Sequence, residues 1–386
     1  MAWALTPLTE EQQEIQHLAR EFAAREIAPY SAAWDRDAHF EPSLVQKLGE
    51  LGFLGMMIPE QYDGLGLDTL TYLIALEEIA TVDASVAVML SVHNSLPTQM
   101  LLRWGTEEQK ERFLKPMARG ELLGAFALSE PEAGSDAASL RTQAVLDGDC
   151  WVLNGTKAWV SSGTKGEVII AMARTDTPDD RRGARGISAF IITPDLPGFS
   201  VGKKEDKMGL RASPTVQLHF SDMRIPADRL LGHVGSGFIY AMQSLDNGRL
   251  GIAAQSVGIA EAALRQAASY AAERKQFGRP IKEFQAIQFK LADMATRVAS
   301  SRALLHLAAR AKDRGEKIRQ FSAMAKLLAS ETAMWVTTQA IQIFGGYGYI
   351  KDYPVERLFR DAKVTEIYEG TSEIQRIVIA RELYSH

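Results

Sequence analysis

The sequence predicts an α+β chain in three parts: an N-terminal helical domain over residues 1–120, a middle β domain over 121–235 and a C-terminal helical bundle domain over 236–386. Three observations predict it. Apolar residues recur at helical spacing through the first part; from about Glu121 glycine, proline, β-branched and aromatic residues rise; and after Gly237 the chain is rich in Ala, Leu, Gln and Lys. At roughly 150 residues per domain, 386 residues give two to three domains and enough chain to bury a sizeable core.

The elements follow in order. Thr9-Glu-Glu-Gln12 has capping-box spacing, and Ile15, Leu18, Ala19 and Phe22 follow at helical intervals until Pro29 and Tyr30 close the segment. Pro42 to Leu54, Leu70 to Ala80 and Thr106 to Met117 repeat the pattern, with Gly64-Leu-Gly66 as a loop. In the middle part, Asn154-Gly155 reads as the turn of a hairpin between the strand-like runs of Trp151 to Trp159. Val168 to Met172 and Ile187 to Ile192 read as buried strands, while Val216, Leu218 and Phe220 alternate with Gln217 and His219 as a half-exposed strand should. Beyond Gly237 the breaks fall near Phe277-Gly-Arg-Pro280, Arg314-Gly315 and Gly345-Gly-Tyr-Gly348, leaving segments of 25 residues or more that suit long antiparallel helices. No internal repeat or low-complexity tract interrupts the chain.

Composition excludes several functions. With 46% apolar and 24% charged residues the chain matches globular proteins, and no apolar run reaches the roughly 18 residues of a membrane-spanning helix. Its 43 Lys+Arg against 48 Asp+Glu give a net charge of −5, so nucleic acid is not an expected partner. The one cysteine, Cys150, can form neither an internal disulfide nor a thiolate cluster and suits a reducing compartment. Met1-Ala-Trp-Ala-Leu-Thr-Pro7 lacks the marks of a signal or transit peptide, so a cytoplasmic protein is expected. No two of the seven histidines stand at the i, i+3 or i+4 spacing of a helical metal site, and no metal is expected. The signatures of nicotinamide Rossmann, P-loop, serine-hydrolase and zincin chemistry are missing.

Four segments could carry chemistry. Ala125 to Asp136 runs from a short apolar strand into a small-residue turn through which backbone N–H groups and hydroxyls can approach a polar ligand, though it is equally a plain corner. Ile367-Tyr-Glu369-Gly370-Thr371-Ser372-Glu373-Ile-Gln-Arg376 sets an acid before a helix, with Ser372 and Gln375 at capping-box spacing. Taken alone, those residues favour a solvated loop charge beside a cap. Asp246 and Arg249, three apart, could grip an acyl or phosphate group or form a surface ion pair. Lys203 to Lys207 reads as a solvated loop.

Together these pieces resemble the acyl-CoA dehydrogenases, and specifically their short-chain (butyryl-CoA) type. The resemblance runs from about Leu8 to Leu383 and is carried by Phe126 to Asp136, Thr156 to Ser161, Gly202 to Gly209, Asp246 to Arg249, Arg274 to Gly278, Gln342 to Gly346 and Ile367 to Arg376, all in order. It implies that the C-terminal domain is a four-helix bundle, with FAD bound where the β domain meets the C-terminal helices. Phe126, Leu128 and Ser129 would contact the flavin through their backbone, Trp159 would pack on the ring and Ser161 would bond near N5. Thr371 and Glu373 would meet the adenosine diphosphate half, and Phe277 and Gln285 would also bind the cofactor, while Arg274, Gln342, Gly345 and Gly346 would reach the FAD of a neighbouring subunit, usually in a homotetramer.

The resemblance also implies the chemistry: α,β-dehydrogenation of an acyl-CoA to a trans-2-enoyl-CoA in fatty-acid β-oxidation, with electrons passed to electron-transfer flavoprotein. Glu369 matches the family's base, which needs the strength that burial confers because a Cα–H beside a thioester is a weak acid. Ser135, Asp246, Arg249 and Gly370 would contact the acyl-CoA. In the isovaleryl branch the base stands just before the arginine matching Arg249, where this chain has Gly248, so that branch is disfavoured. The alternatives are a branched-chain or medium-chain dehydrogenase, an acyl-CoA oxidase and a non-catalytic scaffold of the same fold.

Overall fold

A computed structural model describes residues 7–177 and 182–384. Residues 1–6, on which the reading against a leader rests, and His386 lie outside the described residues. The first block holds α1 (Glu10–Phe22), α2 (Ser31–Asp37), α3 (Ser43–Glu50), α4 (Thr69–Ala80), α5 (Ala84–Ser95), α6 (Pro97–Trp104), α7 (Glu107–Gln109) and α8 (Lys115–Ala118). Thr9 and Gln12 close the capping box that their spacing predicts. Helices α4 and α5 are buried on every side, so neither has a polar stripe. The two carboxylates of α4 are matched instead, Glu77 by Arg302 and Glu78 by Arg20, both at 2.8 Å.

The middle block is an eight-stranded sheet. Its strands are β1 (Gly124–Ala127), β2 (Gln143–Asp147), β3 (Cys150–Ser161), β4 (Val168–Arg174), β5 (Ile187–Ile192), β6 (Phe199–Lys204), β7 (Thr215–Pro226) and β8 (Leu230–Leu231). Their order is β6-β7-β3-β2-β4-β5-β8, with β1 parallel to β4. Every residue of β4 and β5 is buried, which accounts for their unbroken apolar runs.

Two expectations are corrected here. Asn154-Gly155 is not a hairpin turn: β3 runs straight through it, with a bulge against β7 between Leu153 and Gly155. Asn154 braces that bulge by bonding Asp222 on β7 at 3.0 and 2.8 Å. The real hairpin lies one turn earlier, where Asp147 pairs with Cys150 around Gly148 (φ +64°) and Asp149. Nor is Lys203 to Lys207 a solvated loop throughout, since β6 extends to Lys204 and Lys207 turns inward to the Ser213 carbonyl at 2.7 Å. Burial there lowers the Lys207 ammonium to about 8.

The last block holds α9 (Gly237–Glu273), a small antiparallel ladder of β9 (Lys275–Gln276) and β10 (Arg279–Pro280), then α10 (Gln285–Asp313) and α11 (Arg319–Phe344). The fourth arm is split into α12 (Val355–Thr365) and α13 (Ser372–Leu383). At 1.5 Å per residue, the 37 residues of α9 span about 56 Å. This helix is the spine: Leu250, Ala253, Ala254 and Val257 pack into the N-terminal helical core, and Ile252, Ile259, Ala263, Ala267 and Ala271 into the bundle core. Its first turns, through Tyr240 and Ala241, cover the face of the sheet that carries Ile170, Met172, Ala189 and Ile191. The split in the fourth arm and the place where the sheet meets α9 create the site.

Candidate active site

The break between α12 and α13 is held in an uncommon backbone. Glu369 (φ +52°) and Gly370 (φ +90°) are both left-handed, a conformation that costs a residue with a side chain about 1–2 kcal/mol. Thr371, not Ser372, caps α13: its Oγ1 accepts the Ile374 N–H at 3.3 Å, which corrects the Ser372–Gln375 capping box. Gln375 turns back instead and donates to the carbonyls of Glu369 and Gly370 at 3.1 and 2.7 Å. From α11, Lys326 donates to the same Gly370 carbonyl at 2.8 Å.

This scaffold drives the Glu369 side chain inward. Both carboxylate oxygens are shut off from solvent without a hydrogen-bond partner, so Glu369 is no solvated loop charge. The carboxylate lies against α9 at Gly248, where a Cβ would come 2.7 Å from Glu369 Cδ and 3.0 Å from Oε1. Glycine here provides room. Burial raises the Glu369 carboxyl to about 7, with Lys326 and then Arg249 pulling in the opposite direction. Tyr72 Oη, Ser91 Oγ and Arg249 Nε are likewise buried and unpartnered. Two turns beyond Gly248 on the same face of α9, the wholly buried Gln255 accepts the Tyr368 hydroxyl and donates to the Ala84 carbonyl at 2.7 Å. Arg249 and Asp246 form a 2.5 Å ion pair that is buried, not at the surface as their spacing suggested.

A second group lies where the sheet meets the bundle. Phe126 on β1 packs against the same apolar cluster as Leu245 and Tyr368. Ala158 on β3 donates its N–H to the Ser129 carbonyl at 2.9 Å, and the wholly buried Lys157 donates to the Leu128 carbonyl at 3.1 Å and to Glu130 at 2.8 Å. Leu128 and Ser129 are thus tied to the strand that carries Trp159 and Ser161. Trp159 is 64% exposed and sits at φ +60°. Exposure and strain together normally persist at such a side chain only where it has something to touch. Ser135, Thr371 and Glu373 lie on half-buried or exposed backbone.

The third group is separate. Arg274, Gly345 and Gly346 line one pocket of about 540 Å³ with Tyr270, Phe344 and Tyr347. The Arg274 guanidinium lies over the Tyr347 ring at 5.4 Å. Phe277, at the tip of the ladder, is 94% exposed at φ +52°. Gln342 is exposed on the last turn of α11, and Gln285 on the first of α10. From Gly248 to the end of α9 is about 38 Å at 1.5 Å per residue, so this group and Glu369 cannot share one pocket of a single chain.

Sequence reasoning missed Lys326, Tyr72, Ser91 and the Lys157–Glu130 pair. Periodicity held a signal for Lys326: Ser322, Ala323, Ala329 and Ser330, its i±3 and i±4 neighbours, are all small, as on a helix face pressed to another. Among the described residues, no group of three His, Cys, Asp or Glu could hold a metal, and no helix is long and apolar enough to cross a membrane.

Family models for the acyl-CoA dehydrogenase N-terminal, middle and C-terminal domains match residues 9–121, 125–223 and 235–384. The mitochondrial short-chain specific acyl-CoA dehydrogenase of Bos taurus is 50% identical over 97% of this chain and 90% of its own. The solved butyryl-CoA dehydrogenase of Megasphaera elsdenii superposes with a TM-score of 0.96 at 45% identity, over 98% of this chain and all of that one. A chain in a structure described as the electron transferring flavoprotein of Acidaminococcus fermentans gives 0.96 at 47% identity over the full length of both. With three domain models matched in order and half the residues shared over nearly its whole length, the chain belongs to the acyl-CoA dehydrogenase family of FAD-dependent oxidoreductases.

Proposed function

We propose that this enzyme desaturates short-chain acyl-CoA thioesters to trans-2-enoyl-CoA with Glu369 as the base, and passes the electrons to electron-transfer flavoprotein. The observation that carries the reading is the Glu369 carboxylate itself, buried, without a partner and given room by Gly248. A carboxylate raised to about 7 is a stronger base than an exposed one yet still half-ionised at neutral pH. A thioester placed over it would present its Cα–H to the unpartnered oxygens, and the Glu369 backbone N–H is the chain's own donor for the carbonyl oxygen, where enolate charge grows.

The residues fit FAD. Trp159, largely exposed in a strained backbone beside the tethered Leu128–Ser129 segment, offers a flat apolar face to a ring system, and Ser161 a hydroxyl on the same strand. Bound there, the cofactor supplies the two-electron acceptor for the Cβ hydride. Phe126, Leu128, Ser129, Trp159, Ser161, Thr371 and Glu373 would hold it, while Ser135, Asp246, Arg249 and Gly370 would engage the acyl-CoA. Arg274, Phe277, Gln285, Gln342, Gly345 and Gly346 would serve a neighbour's FAD, because about 38 Å of helix separates their end from Glu369. That division calls for an oligomer, read here as a homotetramer of domains 1–120, 121–235 and 236–386. The lone Cys150 suits the cytoplasm.

Short-chain preference is supported by the wall two turns along α9. Gln255 and Tyr368 close on each other there, so a chain extending past Gly248 and Ile252 meets buried polar groups instead of apolar space. A steady-state survey of acyl-CoAs from C4 to C12, straight and branched, with electron-transfer flavoprotein as acceptor tests the reading. An optimum of kcat/KM at butyryl- or hexanoyl-CoA is expected, and one at C10 or beyond would overturn it. Faster turnover with O₂ than with the flavoprotein would make the enzyme an oxidase.

A further inference from the structure

Lys326 is wholly buried, yet its hydrogen bond goes to a backbone carbonyl, that of Gly370 at 2.8 Å. Two other buried cations of this chain face a carboxylate directly: Lys157 meets Glu130 at 2.8 Å and Arg249 meets Asp246 at 2.5 Å. Among the described residues none lies within ion-pair distance of Lys326. An ammonium buried in this way is costly unless something nearby recovers the loss. The carbonyl it holds belongs to the residue after Glu369, in the left-handed turn that aims that carboxylate inward.

We propose that Lys326 is a positioning residue for the Glu369 base: its ammonium pins the Glu369–Gly370 turn and supplies the positive charge that keeps the neighbouring carboxylate ionised once bound substrate has excluded water. The inference rests on the reading of Glu369 as the base. Other groups facing the carboxylate supply less of that charge. Arg249 also favours the ionised carboxylate, but less than Lys326 does, and its Nη1 is engaged by Asp246, which Arg319 also approaches at 3.5 Å. Tyr72 and Tyr368 have hydroxyls pushed upward by burial and remain neutral. Around Lys326, Glu366 is paired to Lys363 at 2.6 Å, and Glu373 is exposed at the start of α13, where water screens it. Burial lowers the Lys326 ammonium to about 8, so it stays protonated at neutral pH, and it is the foremost influence holding Glu369 down against desolvation.

The test is the pH profile of kcat, which reports the substrate-bound enzyme, for Lys326→Met, Lys326→Gln and Lys326→Arg on butyryl-CoA, with flavin content and melting temperature measured for each. Gln keeps a donor for the Gly370 carbonyl without the charge, and so separates the two parts of the role. The acid limb should rise by about 1–3 pH units in Met and Gln, the range an opposite charge at close approach commands, and return to within half a unit in Arg. Met should also lower kcat at the plateau, because its turn is no longer pinned. An unmoved limb in folded, flavin-loaded Met and Gln variants would overturn the proposal. So would failure of both to fold while Arg folds normally, which would assign Lys326 to the fold alone. A wild type inactive on every acyl-CoA would sink the dehydrogenase reading, and this one with it.

Discussion

Gly248→Ala adds one methyl group to the enzyme, and the structure says where that group goes. Its carbon would stand 2.7 Å from Glu369 Cδ, against the 3.4–4 Å of ordinary contact, so the carboxyl must withdraw by roughly 1 Å. Withdrawal is resisted, because the backbone of Glu369 and Gly370 is tied by Gln375 and Lys326. The adjustment therefore falls on the Glu369 side chain, the proposed base. A displacement of 1 Å typically costs about 10²-fold in rate, or about 2.7 kcal/mol of barrier. Alanine is the better helix former by up to about 1 kcal/mol, which offsets part of the steric cost to stability. The expected result is a stable, flavin-loaded variant with kcat lowered about a hundredfold and a melting temperature within a few degrees of wild type. Turnover within threefold of wild type in a fully loaded variant would refute the reasoning, since it would mean that the base does not stand against Gly248 when it works.

Glu369→Gln should keep its flavin and lose about 10²–10⁴ or more in turnover; more than a tenth of wild-type rate would move the base elsewhere. Since burial raises this carboxyl from 4.5 to about 7, its contribution to the free protein's stability is fully present below pH 4.5 and lost as pH rises through 7. Glu369→Gln should therefore gain up to about 3 kcal/mol over wild type at pH 8 and little at pH 4.5, read from denaturant midpoints. Arg274→Ala should release FAD on dilution and lower the melting temperature in a way that added FAD restores, whereas a bare helix cap would leave both unchanged. Lys157→Met strands Glu130 in the sheet core and should cost about 3–5 kcal/mol by urea unfolding, with the Lys157→Met/Glu130→Leu double variant recovering much of it.

Where one local pattern dictated one structure, the sequence was enough. Thr9 and Gln12 formed their box, and the apolar runs of β4 and β5 were buried on both faces. Asn154-Gly155 misled because the same dipeptide suits a turn and a bulge, and pairing with β7, about 65 residues away, decided between them. Ser372 and Gln375 misled because tertiary structure needed Gln375 elsewhere, on the carbonyls of the Glu369 turn. The role proposed for Glu369 came only from family resemblance. Its own neighbours in sequence are a helix end and a cap, while the groups that set its burial and charge come from α4, α9 and α11, up to 297 positions away at Tyr72.

The strained aromatics bear on assembly. Trp159 and Phe277 combine wide exposure with positive φ, so a single protomer carries backbone strain of about 1–3 kcal/mol at each and leaves apolar surface in water as well. Such costs persist where something bound recovers them. Trp159 belongs to the group tied to Leu128 and Ser129, and Phe277 lies beyond the far end of α9, about 38 Å along the helix from Gly248. One ligand in one chain cannot cover both. Two protomers related so that the Phe277 end of each meets the Trp159 end of the other would cover all four residues at once, with each Arg274 brought to its neighbour's cofactor. Loss of flavin from Arg274→Ala and loss of assembly from a Phe277→Ser variant should then accompany each other, whereas a dissociated protomer that held its flavin unchanged would break the link.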